Sequence, residues 1–333
     1  MFGLDNREIY DVTIIGAGCA GLFAANYAGM RGLKTKVIDF LPKTGGTVSV
    51  FYPEKTIYDI GGMPMITGEK LMEQLLEQAN MYQPAFVLGQ EVQNLHREED
   101  GIYVLTTHDG TEHFTKTVII AAGAGAFKIR PLKINNGFLR EGGHIYYEQN
   151  ELSHFKGKRV MVYGGLSAAV KRAVDLSKIA EQVFLINNNS KFNVLDEELD
   201  ELKNSKVVVK TPFSIIDVVE QHNELEKVII HNSKNGKDEP IVVDDLIISH
   251  GYNFDMEAVK SWGFTIENRR IPVNNKMETI LEGVYAAGDI AGYPNKWRLI
   301  SAAFTEAITA VNSAKKFIDP SAPAQVYSTI LKK

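Results

Sequence analysis

VTIIGAGCAGLFAANYAGM, residues 12–30, reads as an apolar strand, a glycine turn and an alanine-rich helix. Gly16, Gly18 and Gly21, with Ala20 between the last two, stand in the G-x-G-x-x-G spacing between that strand and that helix, the context in which the spacing has a physical meaning. The first glycine permits the sharp turn, the second lets backbone N–H groups approach a pyrophosphate, and the third allows close packing of helix on strand. About 20 residues on, Asp39 ends the next apolar strand, KTKVIDF, where a carboxylate accepts hydrogen bonds from adenosine ribose hydroxyls. A dinucleotide-binding α/β unit is the expectation.

The order of elements then repeats. Residues 11–123 and 159–251 each open on an apolar strand (VTII, then VMVY), pass through a Gly-containing turn into a helix, and continue with a second short strand (KTKVIDF, then QVFLIN). Each later carries a polar-tipped hairpin, turning at Asp109-Gly110 and at Asn235-Gly236, before a β-branched run ending at glycine. Strand–helix–strand at this spacing implies parallel pairing with right-handed crossovers. The expected fold class is α/β, with two Rossmann-like dinucleotide-binding domains in a three-layer arrangement. One domain is expected to span 1–118 plus 251–333 and the other, NAD(P)-binding-like, 119–250.

Composition narrows the function classes. The 333 residues are 44% hydrophobic, enough for two buried cores, and no apolar run reaches the roughly 18 residues of a spanning helix. With no secretory signal pattern either, a cytoplasmic protein is expected. Net charge is −5, with lysines and arginines interspersed among acids, which gives no general attraction to nucleic acid or to an anionic membrane. Cys19 is the single cysteine, so dithiol exchange within one chain is excluded, and inside a tight turn it reads as a small packing residue. The eight histidines show no metal-ligand spacing and read as surface or hairpin residues; no metal is expected. DEELDELKN, 196–204, reads as a solvated helix, and Trp262 and Trp297 as packing residues, with a carrier contact the alternative for Trp297.

Further along, EGVYAAGD, 282–289, looks like the second FAD signature of flavoproteins that bind two dinucleotides. That likeness assigns Asp289 to the ribityl chain. Ser301, Ala302 and Ala303 follow as a helix start whose positive dipole end would face the flavin pyrimidine. With these motifs, with GGTVSVFYPEKTIYDIGGMP (45–64) and with AAGAGAFKIRP (121–131), the chain resembles, over nearly its full length, the thioredoxin-reductase-like ferredoxin–NADP reductases. The resemblance implies a homodimeric FAD enzyme with a ferredoxin- or flavodoxin-type carrier as partner. Tyr52 would stack on the flavin ring, and Thr47, Phe127 and the backbone at Val92 would line the FAD. The extension AQVYSTILKK would reach over the partner subunit's flavin, bringing Tyr327 and Thr329 to it. Tyr327 stands where the family usually has histidine and still offers a flat face for stacking. Thr47 replaces a usual glutamine, and HIYYEQNELSHF occupies the region where thioredoxin reductases carry C-x-x-C.

The second glycine turn departs furthest. Where the family motif is G-G-G-D-S-A, this chain has Gly164-Gly165-Leu166-Ser167-Ala168-Ala169, placing a side chain where backbone would approach a pyrophosphate. At the next strand end, Asn187, Asn188 and Asn189, and further on Asn193, replace the histidine and arginines that grip a 2′-phosphate. About three charge-assisted contacts of roughly 1.5–3 kcal/mol each are missing. No acid ends this strand to favour NADH, although Asn187 offers a weak substitute. Two readings remain open. One is a reductase passing electrons between NADPH or NADH and a one-electron carrier through FAD. The other is an FAD protein that has lost its nicotinamide site and takes electrons from a protein or acts as a redox-responsive module. A flavin oxidase or monooxygenase rests only on the shared FAD motifs.

Overall fold

The computed structural model describes residues 7–147, 151–222 and 224–327. The chain divides into two compact units, Met1–Phe127 with Phe254–Lys333, and Lys128–Asn253. The first passage falls later than the expected 118/119 because the chain stays anchored beyond the strand: Ala121 N donates to Ile15 O at 2.8 Å. Phe127 also packs against Phe40 and Phe51, with ring centroids 4.9 and 5.0 Å away.

In the first unit, β1 (Ile9–Ile15) runs into α1 (Cys19–Met30) and β2 (Thr35–Asp39). After α2 (Gly46–Phe51) and α3 (Gly68–Asn80) come β3 (Ala85–Leu88), β4 (Val92–Arg97), β5 (Tyr103–Thr107) and β6 (Glu112–Ile120). The parallel order is β3-β2-β1-β6, with β5 antiparallel on the N-terminal half of β6 and β4 antiparallel on β5. β2 is buried at all five residues and β1 at its last four, the mark of strands covered on both faces. α1 buries Ala20, Leu22, Ala24, Ala25 and Ala28, small side chains that let it lie close between the sheet and its neighbouring helices.

The second unit contains β7 (Ile145–Tyr146), β8 (Arg159–Tyr163), α4 (Ser167–Leu176), β9 (Gln182–Ile186), α5 (Asp196–Lys203) and β10 (Val208–Lys210). It continues with β11 (Phe213–Gln221), β12 (Glu224–Asn232), β13 (Asp238–Val242) and β14 (Asp245–Ile248). Its parallel sheet has the order β7-β14-β8-β9-β10. The two-domain α/β reading therefore holds, with one difference between the repeats. β6 serves as hairpin arm and central parallel strand at once, whereas β13 and β14 divide those tasks, so β11-β12-β13 form a separate sheet.

The chain then returns to the first unit through α6 (Glu257–Ser261), β15 (Val284–Ala286) and α7 (Ile300–Ile318). β15 pairs parallel with the end of β6, which delivers residues 287–289 to the C-terminal edge of the sheet, beside the glycine turn. No helix among the described residues is long and apolar enough to cross a membrane. His113, read as a hairpin histidine, is buried with its Nδ1 3.2 Å from Lys36 Nζ, and burial together with that lysine pushes its pKa down.

Phe155 is fully buried in a cluster with Val160, Val162 and Leu185, within the second unit alone. Phe155→Ala should destabilise that unit by about 3–5 kcal/mol. Limited proteolysis should then cut first between residues 128 and 253; unchanged resistance there would contradict this core assignment.

Candidate functional site

At the C-terminal edge of the first unit's sheet the glycine turn opens a cleft of about 270 Å³ that continues into open solvent. The three glycines serve different ends. A Cβ on Gly16 would stand 2.4 Å from Ala121 O, and one on Gly21 1.8 Å from Gly16 O, so both are required by the protein's own packing. A Cβ on Gly18 would meet nothing nearer than Gly46 Cα at 3.9 Å, and Gly18 has an ordinary φ of −82°. No internal contact demands glycine there; its missing side chain leaves room in the cleft. Gly18 is also the N-cap of α1 and offers no side-chain cap, so the first N–H groups of α1 stay available at the cleft.

Other predicted residues converge on this space. Asp39 Oδ2 accepts from Ala17 N at 2.5 Å and Oδ1 from Leu41 N at 2.8 Å, which braces the turn from the end of β2. Burial raises its carboxyl above the ordinary range against the pull of those two N–H groups, and each oxygen keeps a further lone pair. Thr47, Tyr52, Val92, Phe127 and Asp289 all line the cleft with Gly16, Gly18 and Ala20, while Gly21 lies behind them. Tyr52 is 51% exposed, with Lys55 Nζ 5.4 Å from the centre of its ring. Asp289 follows Gly288, whose φ is +77°, and its Oδ2 lies 3.4 Å from Arg298 Nη2.

α7 begins one residue before the expected start. Its N-cap, Leu299, gives no side-chain cap, and Leu299, Ile300 and Ala303 line the cleft, so a helix N-terminus with its positive dipole end faces this space. These features fit FAD: unpaired N–H groups and an empty Cβ position for a pyrophosphate, an acid for each sugar chain, and an aromatic at the mouth. Tyr327 is 54% exposed and does not line its own chain's cleft. Its segment lies along α1, where Tyr27 OH donates to Val326 O at 3.3 Å and Arg31 to Pro323 O at 2.7 Å. Thr329 lies outside the described residues.

The second turn is built otherwise. A Cβ on Gly164 would stand 2.1 Å from Ser249 O, and one on Gly165 2.5 Å from Asn187 Oδ1, so both glycines answer to internal packing. Leu166 caps α4 with φ −106° and is 47% exposed, an apolar side chain at the helix N-terminus. Asn187 is buried and engaged by its own loop: its Oδ1 accepts from Asn189 N at 3.1 Å and its Nδ2 donates to Lys191 O at 3.0 Å. The 187–191 turn thus occupies one donor and one acceptor position of its carboxamide. Asn188 and Asn189 are exposed. Sequence reading missed Glu198, whose Oε2 accepts from Ser167 Oγ at 2.8 Å and from Leu195 N at 3.0 Å. A carboxylate therefore lies beside the first residue of α4, at a helix end that favours negative charge.

Comparison with known proteins agrees with this geometry. The family model for pyridine nucleotide-disulphide oxidoreductases matches residues 10–307. The chain belongs to this family. Within it, a ferredoxin–NADP reductase of Geobacillus kaustophilus is 42% identical over 98% of this chain and 98% of its own. Ferredoxin–NADP reductase 1 of Bacillus velezensis is 44% identical over 99% and 98%. The crystal structure of T. acidophilum thioredoxin reductase, 24% identical, covers 93% of this chain and 99% of that one with a TM-score of 0.70, and shares the fold. The resemblance read from residues 45–64, 121–131 and 282–289 is borne out, and with it the FAD dependence of this pyridine nucleotide-disulphide oxidoreductase. The chain nevertheless has one cysteine, so membership brings no dithiol.

Besides Glu198, the sequence reading gave no separate role to Gly45 and Gly46 within the 45–64 match, and these fold against Ala17 and Gly18: Gly45 N donates to Ala17 O at 2.8 Å. Their φ values of +119° and +54° were foreshadowed by a Gly-Gly pair before a short helix. Trp262 is buried, donating Nε1–H to Gln93 O at 2.9 Å, and also reaches the cleft wall, while Trp297 is 74% exposed rather than packed. Glu306 is a further missed residue, and its one legible sign was an acid among the apolar positions of α7.

Two predictions separate packing from binding. In the apoprotein, Gly21→Ala should cost about 1–3 kcal/mol or more in denaturant unfolding, while Gly18→Ala should leave stability within about 0.5 kcal/mol and weaken FAD binding at least about tenfold by fluorescence titration. Equal stability losses would remove the distinction. Burial pushes the Cys19 thiol up to about 12, so roughly one molecule in 10⁴ carries the thiolate at pH 8. Native protein should resist iodoacetamide at that pH and react once unfolded, as read by intact mass.

Proposed function

We propose that the protein is an FAD-dependent reductase of the ferredoxin–NADP reductase type, exchanging electrons between NAD(P)H and a one-electron carrier such as a ferredoxin or flavodoxin. The observation that carries this reading is the Gly18 position, where the chain leaves out a side chain that its own packing would tolerate. Curated relatives bearing the name ferredoxin–NADP reductase over almost their whole length support the choice of reaction.

The residues act as positioners. The N–H groups of the Gly16–Gly21 turn and of the start of α1 would hold the pyrophosphate, and Asp39 the ribose hydroxyls. Asp289 would hold the ribityl chain, Thr47, Val92 and Phe127 the walls, and Tyr52 one ring face. When bound, FAD supplies the ability to take electrons in pairs on one side and pass them singly on the other. The N-terminus of α7 would stabilise negative charge placed before it. No side chain is assigned as acid or base. A cytoplasmic homodimer, in which Tyr327 and Thr329 serve the neighbouring subunit's cleft, is part of the proposal; the course of the tail along α1, away from its own cleft, supports it.

The second glycine turn favours a second reading. With Leu166 exposed at the head of α4, Asn187 engaged and Glu198 beside Ser167, the Lys128–Asn253 unit presents an acid and an apolar side chain where a nicotinamide dinucleotide needs donors. In that case the electrons come from a reduced carrier protein. The deciding measurement is an anaerobic titration of the yellow protein with NADPH and then NADH, with dithionite as control. Bleaching at micromolar nucleotide is the outcome expected of the reductase. No bleaching at millimolar nucleotide, with reduction by a reduced ferredoxin, would replace it with the second reading.

A further inference from the structure

Lys296 and Glu306 form an ion pair with their side chains only 2% and 4% exposed. Three groups converge on this one carboxylate: Lys296 Nζ and Tyr293 OH on Oε1, the latter at 2.6 Å, and Gly288 N on Oε2 at 2.7 Å. Lys296 Nζ also lies 5.0 Å from the centre of the Tyr293 ring. Removing two charges from water is costly, and apolar replacements of such pairs are often no less stable. Stability alone therefore gives no reason for the pair; what it fixes does.

Glu306 joins three successive segments of the chain: the Gly288–Asp289 turn, the loop from Tyr293 to Arg298, and α7. Glu306 does not line the cleft, whereas Gly288, Asp289, Arg298 and Ile300 do. The backbone N–H that Glu306 holds belongs to the residue before Asp289, in a turn whose positive φ leaves few alternatives. The carboxylate sets where Asp289 stands relative to the N-terminus of α7, and Lys296 balances a negative charge that would otherwise lie one residue behind the cleft wall.

We infer that Glu306, neutralised by Lys296 and hydrogen-bonded by Tyr293, is a positioning residue that registers Asp289 and the N-terminus of α7 on the cofactor and keeps net charge out of the cleft wall. This rests on the FAD reading above. It makes predictions of opposite sign for the two partners. Lys296→Met leaves an uncompensated anion, so the flavin midpoint potential falls. Glu306→Gln leaves an uncompensated cation, so the potential rises, while the amide oxygen still accepts from Gly288 N. The double variant removes both charges and returns the potential toward the original value. In each single variant the affinity of apoprotein for FAD should fall by about tenfold.

The experiment measures the midpoint potential and the FAD dissociation constant for the three variants and for Tyr293→Phe, which keeps both charges and removes one hydrogen bond. Tyr293→Phe should lower the potential slightly and weaken FAD a few-fold. Potentials that stay constant across the series while melting temperatures fall together would overturn the inference and leave a purely structural pair. Should the charge variants fail to fold, an unchanged potential and affinity in Tyr293→Phe would overturn it equally. If the unaltered apoprotein takes up no FAD, the function reading itself fails. Hydrogen exchange at the Gly288 amide then decides the positioning claim: Glu306→Ala should speed it at least about tenfold, and an unchanged rate would refute it.

Discussion

The whole first unit depends on one close approach. The carbonyl oxygen of Gly16 lies 1.8 Å from where a Cβ of residue 21 would stand, so α1 can press onto the end of β1 only because residue 21 has no side chain. That contact aims the N–H groups of α1 into the cleft and brings Asp39 within reach of Ala17 N, so that an acid from the neighbouring strand braces the turn from behind. Parallel pairing of β15 with β6 then adds Asp289 and α7 from far along the chain. The cleft thus collects groups from segments far apart in the chain around this one turn.

The second unit repeats the topology and changes the chemistry. Its glycines make the same inward contacts, Gly164 against Ser249 O and Gly165 against Asn187, but nothing corresponds to the open position at Gly18. Leu166 stands there, the loop after β9 closes on itself through Asn187, and α5 reaches the start of α4 through Glu198. A fold can thus keep the steric part of a dinucleotide motif while its electrostatic part is replaced. The two parts rest on different residues and are separately lost.

Local sterics made much of this legible in the sequence. Three glycines at fixed spacing have few physical uses, and Asp39, the Asp109-Gly110 and Asn235-Gly236 hairpins and the tandem repeat could be read within short windows. What escaped was long-range. Nothing near Gly45 tells that it folds onto Ala17, and nothing in α7 tells that Glu306 meets Lys296, Tyr293 and Gly288 at a single point. The replacement of arginines by Asn187, Asn188 and Asn189 was plain as a loss of charge. That Asn187 is tied into its own turn required coordinates, because a carboxamide gives no sign of which neighbours it has chosen.

The division of the chain has a consequence for the order in which the molecule is made. The Lys128–Asn253 unit is continuous in sequence, whereas the first unit is interrupted by it. Its opening segment carries β1, the glycine turn and Asp39, but β15, Asp289 and α7 are synthesised only after the inserted unit is complete. Until then β6 has an unpaired edge along its last turn-proximal residues, and α1 lacks the helix that covers it. The segments that complete the cleft are thereby the last to be synthesised, after the whole of the unit inserted into the middle.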